Sequence, residues 1–259
     1  MMNLLFVGDV TGQDACDALG AFLPGFKREH KIDVTIINGE NSADGNGITP
    51  HSANLLFKAG ADVITTGNHC FKRQVADSAY EQSHFLLRPA NLGGSAPGKG
   101  VCIIDRGRYS LAVINLIGTV FMASADNPFK CADEILKKLD TKNIVVDFHA
   151  EATAEKKAMG HYLAGRVSAV MGTHTHVQTA DEQIMNGHTA YITDAGMTGV
   201  GDSVLGIEKN IIIERFLSYY PKKHVFAKGE QSMNAVLTVL DEKSGKALSV
   251  SRINHIIRV

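Results

Sequence analysis

His174 and His176 stand one threonine apart, directly after the apolar run Ser168-Ala169-Val170-Met171 and Gly172. Imidazole is the commonest metal-binding side chain, and in an extended backbone side chains two apart point the same way. The pair could therefore converge on one ion, although a polar loop that merely contains histidine would read the same. Other donors follow other apolar runs in the same manner. Asn3 to Val7 is followed by Gly8-Asp9, and Val34 to Ile37 by Asn38-Gly39-Glu40-Asn41. Val63-Ile64 leads to Gly67-Asn68-His69, and Asn143 to Phe148 leads to His149.

In parallel α/β sheets, ligands bind beyond the carboxyl ends of the strands. Five strand ends would thus aim carboxylates, carboxamides and imidazoles at one rim. Gly8, Gly39, Gly67 and Gly172 would let the backbone turn tightly or approach a ligand closely. Each piece alone is weak. An acid after a strand is often a cap or turn residue, and Asn-His suits an ordinary turn. It is the recurrence that predicts a metal site. Oxygen and nitrogen donors without thiolate argue against a closed structural zinc and for Mn²⁺, Fe or catalytic Zn²⁺. Seven or eight donors exceed the needs of one tetrahedral ion. Two ions sharing a carboxylate, spaced about 3.5–4 Å apart, are the arrangement of many phosphatases and nucleases.

The elements that must carry these residues are legible in outline. After the first strand, Asp14 to Lys31 shows a helical apolar pattern (Ala18, Leu19, Phe22, Leu23, Phe26) that Pro24 and Gly25 are expected to bend or break. Thr49-Pro50 is a helix start, with Leu55, Leu56 and Ala59 as its buried face and Gly60 as its end. Strand, helix, strand, helix, strand in close order predicts a parallel sheet with crossover helices. Val101 to Asp105 and Tyr109 to Asn115 read as a hairpin, which makes the sheet mixed. A helix from Asn127-Pro128 to Leu139, a second from Glu151 to Met159, and an alternating strand pair at 233–240 and 247–257 follow. No linker, repeat or low-complexity stretch interrupts residues 1–259, so one domain is expected.

Composition excludes more than it identifies. The chain has 259 residues, 44% of them hydrophobic, and a formal net charge of −1. That is enough to bury a sizeable core. The balanced charge gives no support for RNA contact or for an anionic membrane surface. No apolar run approaches the roughly 18 residues of a membrane span, and MMNLLFVGDV shows no basic segment or cleavage site. Cys16, Cys70, Cys102 and Cys131 form no CxxC pair, which suits reduced thiols and a cytoplasmic location.

GD (8–9), GEN (39–41), GNH (67–69), His149 and THTH (173–176) resemble the ordered blocks of the calcineurin-like metallophosphoesterase superfamily. More closely, INGENSADGNGIT, DVITTGNH, RPANL, PGKG, DFHAEATAEK, GTHTHVQTAD and YITDAGMTG resemble the YmdB-like bacterial phosphodiesterases, from the first strand to about Gly206. The resemblance implies a four-layer α/β/β/α sandwich of two mixed β-sheets. It also implies hydrolysis of phosphodiesters, including 2',3'- or 3',5'-cyclic nucleotides, with iron or manganese in the site and Zn²⁺ or Mg²⁺ as weaker alternatives. Carried over residue by residue, Asp9, Glu40, Asn41 and His176 would hold one ion. Glu40 would bridge to a second, completed by Asn68, His149 and His174. A hydroxide shared between the ions would attack phosphorus, and His69 would protonate the leaving oxygen.

Three departures bear on substrate. Asp9-Val10-Thr11 offers a hydroxyl where the superfamily usually has a histidine, and Asn41 would take its place. Cys70 follows His69 where an acid is common, and Phe71-Lys72 differs from the aromatic-acid pair of the subgroup. Ile117-Gly118-Thr119 lacks an arginine expected there. A phosphomonoesterase or nucleotidase would use the same metals, with Arg88, Lys99 and Arg166 as candidate phosphate grips, although each reads better as a solvated surface charge. A non-catalytic nucleotide-sensing scaffold is the reading from another class. A small phosphodiester is the expected partner, no membrane is expected, and Tyr219-Tyr220-Pro221 with the C-terminal strand pair suggests a homo-oligomer.

Overall fold

The computed structural model describes residues 1–44 and 46–258. The first part of the chain forms β1 (Met2–Val7), a two-residue β2 (Asp9–Val10), α1 (Gln13–Glu29), β3 (Val34–Asn38), α2 (Pro50–Ala59), β4 (Val63–Thr65) and α3 (Ala76–Gln82). The middle forms β5 (Val101–Asp105), β6 (Ser110–Ile117), α4 (Pro128–Leu136), β7 (Asn143–His149), α5 (Thr153–Leu163), β8 (Ala169–Thr173), β9 (Gln183–Met185) and β10 (Thr189–Ile192). β11 (Met197–Val200), α6 (Lys209–Ser218), β12 (Gln231–Leu240) and β13 (Ala247–Ile257) complete it.

These strands make two sheets, not the one that strand order alone suggested. The first runs β2-β11-β12-β1-β3-β4 with β13 on the far edge of β12, and the second runs β5-β6-β7-β8-β10-β9. β1, β3 and β4 are parallel, as are β6, β7, β8 and β10. Successive residues of β1 explain the layering. Leu4 and Phe6 enter a core shared with Val113, Val145 and Met171 of the second sheet. Leu5 and Val7 face Leu19, Leu23 and Leu56 of α1 and α2. On the outer face of the second sheet, Ile114, Val146 and Phe148 pack with Ala132 of α4 and Met159 and Leu163 of α5. Helices, sheet, sheet, helices is the four-layer α/β/β/α sandwich. Strands apolar on both faces read as continuous hydrophobic runs, so their sequence does not disclose which sheet they join.

Local chemistry sets the boundaries where it is strong. Thr49 caps α2 through a reciprocal box with Ser52, and Gly60 closes it at φ 114. Pro24 does not break α1, which runs unbroken from Gln13 to Glu29. The residue four before it is an exposed glycine, Gly20, and Leu19, Leu23 and Phe26 anchor the helix on both sides of the proline. α4 ends at Leu136, short of Leu139. No helix among the described residues is long and apolar enough to cross a membrane.

Candidate metal centre

The carboxyl ends of β3 and β4 from one sheet and of β7 and β8 from the other meet at one edge of the sandwich, with β2 alongside. Four donors converge there. His149 Nε2 lies 3.0 Å from Asn68 Oδ1 and 3.0 Å from His174 Nδ1, and 3.2 Å from Glu40 Oε1. Glu40 and His149 are buried, and their ligand atoms lie within 4.8 Å of each other and of one on His174. Asp9, Asn41 and His176 flank this group more loosely. His176 Nε2 is 3.2 Å from Asn41 Nδ2 and 4.0 Å from Asp9 Oδ1. His69 stands at the side, its Nδ1 2.9 Å from Asn41 Oδ1 and 3.0 Å from Glu40 Oε1. That leaves Nε2 as its available nitrogen.

The ring nitrogens turned away from this point are each held. His149 Nδ1 meets Thr173 Oγ1 at 2.9 Å. Thr173 spends its single hydroxyl proton on Asp147 Oδ1 at 2.7 Å, so it accepts from His149 Nδ1–H and leaves Nε2 facing inward. Asp147 is itself fixed by Asn38 Nδ2 at 2.9 Å and by the Thr65 hydroxyl. His174 Nε2 lies 3.0 Å from Glu151 Oε2, and His176 Nδ1 lies 3.3 Å from the Leu205 carbonyl. Tying off the outer nitrogen in this way is how metal-binding imidazoles are oriented.

His174 and His176 do not reach the site by strand alternation. β8 ends at Thr173, and both histidines sit in left-handed backbone, φ 109 and φ 63. Such backbone is costly for residues other than glycine, and a buried ion pair holds it. Lys156, 1% exposed, donates to Thr173 O and to Asp194 Oδ2, both at 2.6 Å. Asp194 Oδ2 also accepts from Thr175 N at 3.0 Å, between the two histidines. Gly172 does not break the strand but lies within it, so close to its neighbour that a Cβ would sit 1.8 Å from Thr193 O. At Gly8 the close neighbour is likewise backbone, Gly196 O at 2.2 Å. Gly67 alone of the four borders the donors. A Cβ there would lie 2.2 Å from Glu40 Oε2 and 2.2 Å from His149 Cδ2.

The electrostatics call for a cation. Asp9 Oδ1 is buried without a hydrogen bond, an expensive state for a carboxylate, and Glu40 Oε1 is balanced only by the facing imidazoles of His149 and His69. Burial pushes Asp9 up, whereas at Glu40 the facing His149 and His69 outweigh burial and hold the carboxyl well below its usual range. Burial would lower His149, but Glu40 and then Asp9 overcome it and raise it to about 9. Burial, reinforced by the charge of His149, lowers His174 to about 3. A divalent ion would replace the protons that now balance this cluster, so the residues present fit the group that the donor set implies.

A cavity of about 470 Å³ opens over the donors, lined by Glu40, Asn41, His69, His174 and His176 together with Thr11, Glu151, Leu205, Ile207 and Phe226. Among the described residues, neither arginine nor lysine lines it. Arg88 is neither a phosphate grip nor a surface charge. It is 8% exposed, and its guanidinium donates to Pro89, Ala90, Leu92 and Ala96 carbonyls. Arg166 pairs with Asp133, and Lys99 is exposed. Cys70 is 2% exposed within the core under α1 and α2, a packing residue and not a wall of the cavity. Glu151, Lys156, Thr173, Asp147 and Asp194 support the donors without being marked in the sequence as site residues. Their signal was proximity to His149 and the His-Thr-His stretch, which does not distinguish a supporting residue from filler.

Comparison with known proteins agrees with the geometry. A 2',3'-cyclic-nucleotide 2'-phosphodiesterase of Bacillus subtilis is 43% identical over 254 residues, 97% of this chain and 96% of the relative. A solved structure of a hypothetical protein from Thermus thermophilus has TM-score 0.93 and 36% identity, covering 99% of this chain and all of the other. Another, described as a novel phosphatase of Mycoplasma pneumoniae, has TM-score 0.93 and 32% identity over 98% of this chain and 93% of its own. The profile of YmdB-like proteins matches residues 5–253, and with these relatives it makes the chain a member of the YmdB-like family.

Proposed function

We propose that the chain is a metal-dependent phosphodiesterase acting on cyclic nucleotides, with two ions, iron or manganese, held by the donor cluster. The observation that carries this reading is the convergence of Glu40, Asn68, His149 and His174 beside a buried Asp9 oxygen that has no hydrogen bond. Asp9, Asn41 and His176 would complete a second position, which would require the Asn41 amide, whose Nδ2 now faces His176, to turn its oxygen there. The activity of the Bacillus subtilis relative supports the choice of substrate.

Bound there, the ions supply an activated water and neutralise charge on the phosphoryl oxygens. The protein does the rest. Glu40 would be the carboxylate shared by the two positions, and Thr173, Glu151 and Leu205 O keep the three imidazoles aimed inward. His69 offers Nε2 to the departing oxygen. An alkoxide leaves poorly without a proton, so this acid matters more for a ribose diester than for a nitrophenyl ester. A cavity wall without lysine or arginine among the described residues favours a monoanionic diester over a dianionic monoester. The four free cysteines suit a reducing compartment. Self-association belongs to the same reading, through the exposed Phe216, Leu217, Tyr219 and Tyr220 at α6.

Manganese-reconstituted protein should cleave bis-p-nitrophenyl phosphate faster than p-nitrophenyl phosphate, and His174→Ala should abolish both. His69→Ala should slow an alkyl diester far more than a nitrophenyl diester while metal content stays unchanged. Faster monoester turnover would replace this reading with a phosphatase. No turnover with any divalent ion would leave a scaffold.

A further inference from the structure

The cavity has two unlike walls. One is the donor cluster. The other is formed by Leu205, Ile207 and Phe226 with His224 beside them, and no step of the proposed chemistry uses these side chains. At about 470 Å³ the space they share is within the size range of small-molecule sites, roughly 300–1,000 Å³.

The apolar wall is constructed, not left over. Leu205 is 47% exposed and sits at φ 54, left-handed backbone that a leucine avoids unless its surroundings impose it. A tight loop imposes it here. Gly206 N donates to Ser203 Oγ at 2.9 Å. Val204 and Ile207 exchange backbone bonds of 2.8 and 3.0 Å. Ile207 then bridges to Phe226, and Ala227 N donates to Gly206 O at 2.9 Å. The Phe226 ring lies over Gly12, where a Cβ would come within 3.4 Å of it. The Leu205 carbonyl also accepts from His176 Nδ1, so the wall is fixed relative to the donors.

We propose that Leu205, Ile207 and Phe226 bind the nucleobase of the substrate while its phosphodiester lies against the donor cluster. The proposal rests on the phosphodiesterase reading and names the part of the substrate that the chemistry leaves alone. A ribose cyclic phosphate is polar throughout, so the base is the one flat apolar surface such a wall can cover. Stacking on an aromatic ring tolerates any base, and binding energy from a non-reacting group is available to orient the reacting one. The wall therefore selects nucleosides over other diesters without reading base identity closely.

The test compares adenosine 2',3'-cyclic phosphate with base-free 1-O-methylribose 2,3-cyclic phosphate, using manganese-loaded full-length protein. Phe226→Ala should lower kcat/KM for the nucleotide by about 10- to 100-fold, the range that stacking on one base supplies. The base-free ester should change less than about threefold, and Phe226→Tyr should restore the nucleotide rate. Equal losses on both substrates, or none on either, would overturn the proposal. Calorimetry of adenosine 2'-monophosphate and of ribose 5-phosphate on the same samples separates the two levels. If nothing is hydrolysed yet the nucleotide binds more tightly, in a way that needs Phe226, the phosphodiesterase reading fails and the base wall stands. Equal binding of the two ligands removes the base wall whatever the turnover.

Discussion

The half of the donor cluster around His149 and the half around His176 are built differently. His149 is fully buried at the end of β7, with partners at 3.0–3.2 Å, and its outer nitrogen leads into a closed network of Thr173, Asp147, Asn38 and Thr65. His176 lies on a left-handed loop and is 13% exposed. It stands 4.0 Å from Asp9 Oδ1 and leans on a loop carbonyl at 3.3 Å. Donors fixed by strands have already lost the freedom that binding would otherwise cost. In the two-ion site proposed above, the His149 half would be pre-formed, whereas the other would need Asn41 to rotate and His176 to move inward. Titration of metal-free protein with Mn²⁺ should accordingly show one tight and one weaker class of site. A single class would erase the contrast.

The strongest way to break the difference is inside the pre-formed half. His149→Ala or Gly67→Ala should cost about 10³-fold or more in kcat and remove the tight ion. The alanine methyl at 67 would occupy the space of Glu40 Oε2. His176→Ala should also abolish turnover yet keep one ion by elemental analysis. Loss of both ions would show that the halves are not separable.

Next is Lys156→Met. It strands Asp194 as an unpaired buried charge, so unfolding should become easier by about 3–5 kcal/mol in a denaturant titration. Unchanged stability would mean that the His-Thr-His loop holds its own strained backbone. Thr173→Val removes the support behind His149 together with one hydrogen bond to Asp147, and should weaken metal binding by about 10- to 100-fold. A loss confined to the weaker class of site would reverse the assignment of the two halves.

The pH dependence follows from His149, whose pKa in the metal-free fold is raised to about 9 from an ordinary 6.5. Its protonated form stabilises that fold fully below pH 6.5, and the contribution is lost as pH rises through about 9. The Tm of metal-free protein should therefore fall between about pH 6.5 and 9.5, while apparent metal affinity climbs over the same interval because the ion displaces a proton. A flat Tm would indicate that His149 is neutral before metal arrives. The smallest effect is expected at Cys70. Burial pushes its thiol up to about 12, so iodoacetamide at neutral pH should leave activity unchanged. Inactivation prevented by substrate would place that sulfur against the cavity.

Much of the candidate site was legible because donors recur within one to four residues of the ends of apolar runs. Asp9, Glu40, Asn68, His149 and His174 are named by that pattern, and β1, β3, β7 and the β12–β13 pair by their hydrophobic runs. β9, β10, β11, α3 and α6 were not read. β9, β10 and β11 are three or four residues long, too short for periodicity. α6 buries Ile212 alone and leaves Phe216 and Leu217 exposed, so it shows no amphipathic stripe. The break expected at Pro24 failed for a related reason. Packing of Leu19, Leu23 and Phe26 outweighs one lost backbone bond, and that packing is invisible from the helix sequence alone.

By itself, the sequence determined the donor types, their order along the chain and the strand ends that carry them. Donor chemistry belongs to each side chain, and the strand ends follow from local hydrophobic pattern and glycine. The motif resemblance already implied two sheets, but tertiary structure alone decided which strands join each and that donors from both meet at one edge. It also decided that Lys156 and Asp194 hold two histidines in left-handed backbone, and that Leu205, Ile207 and Phe226 face them across a cavity. Those outcomes depend on contacts between segments well separated in the chain, from a separation of 17 for Lys156 and Thr173 to 38 for Lys156 and Asp194 and beyond. No local window of sequence encodes a distance between such segments.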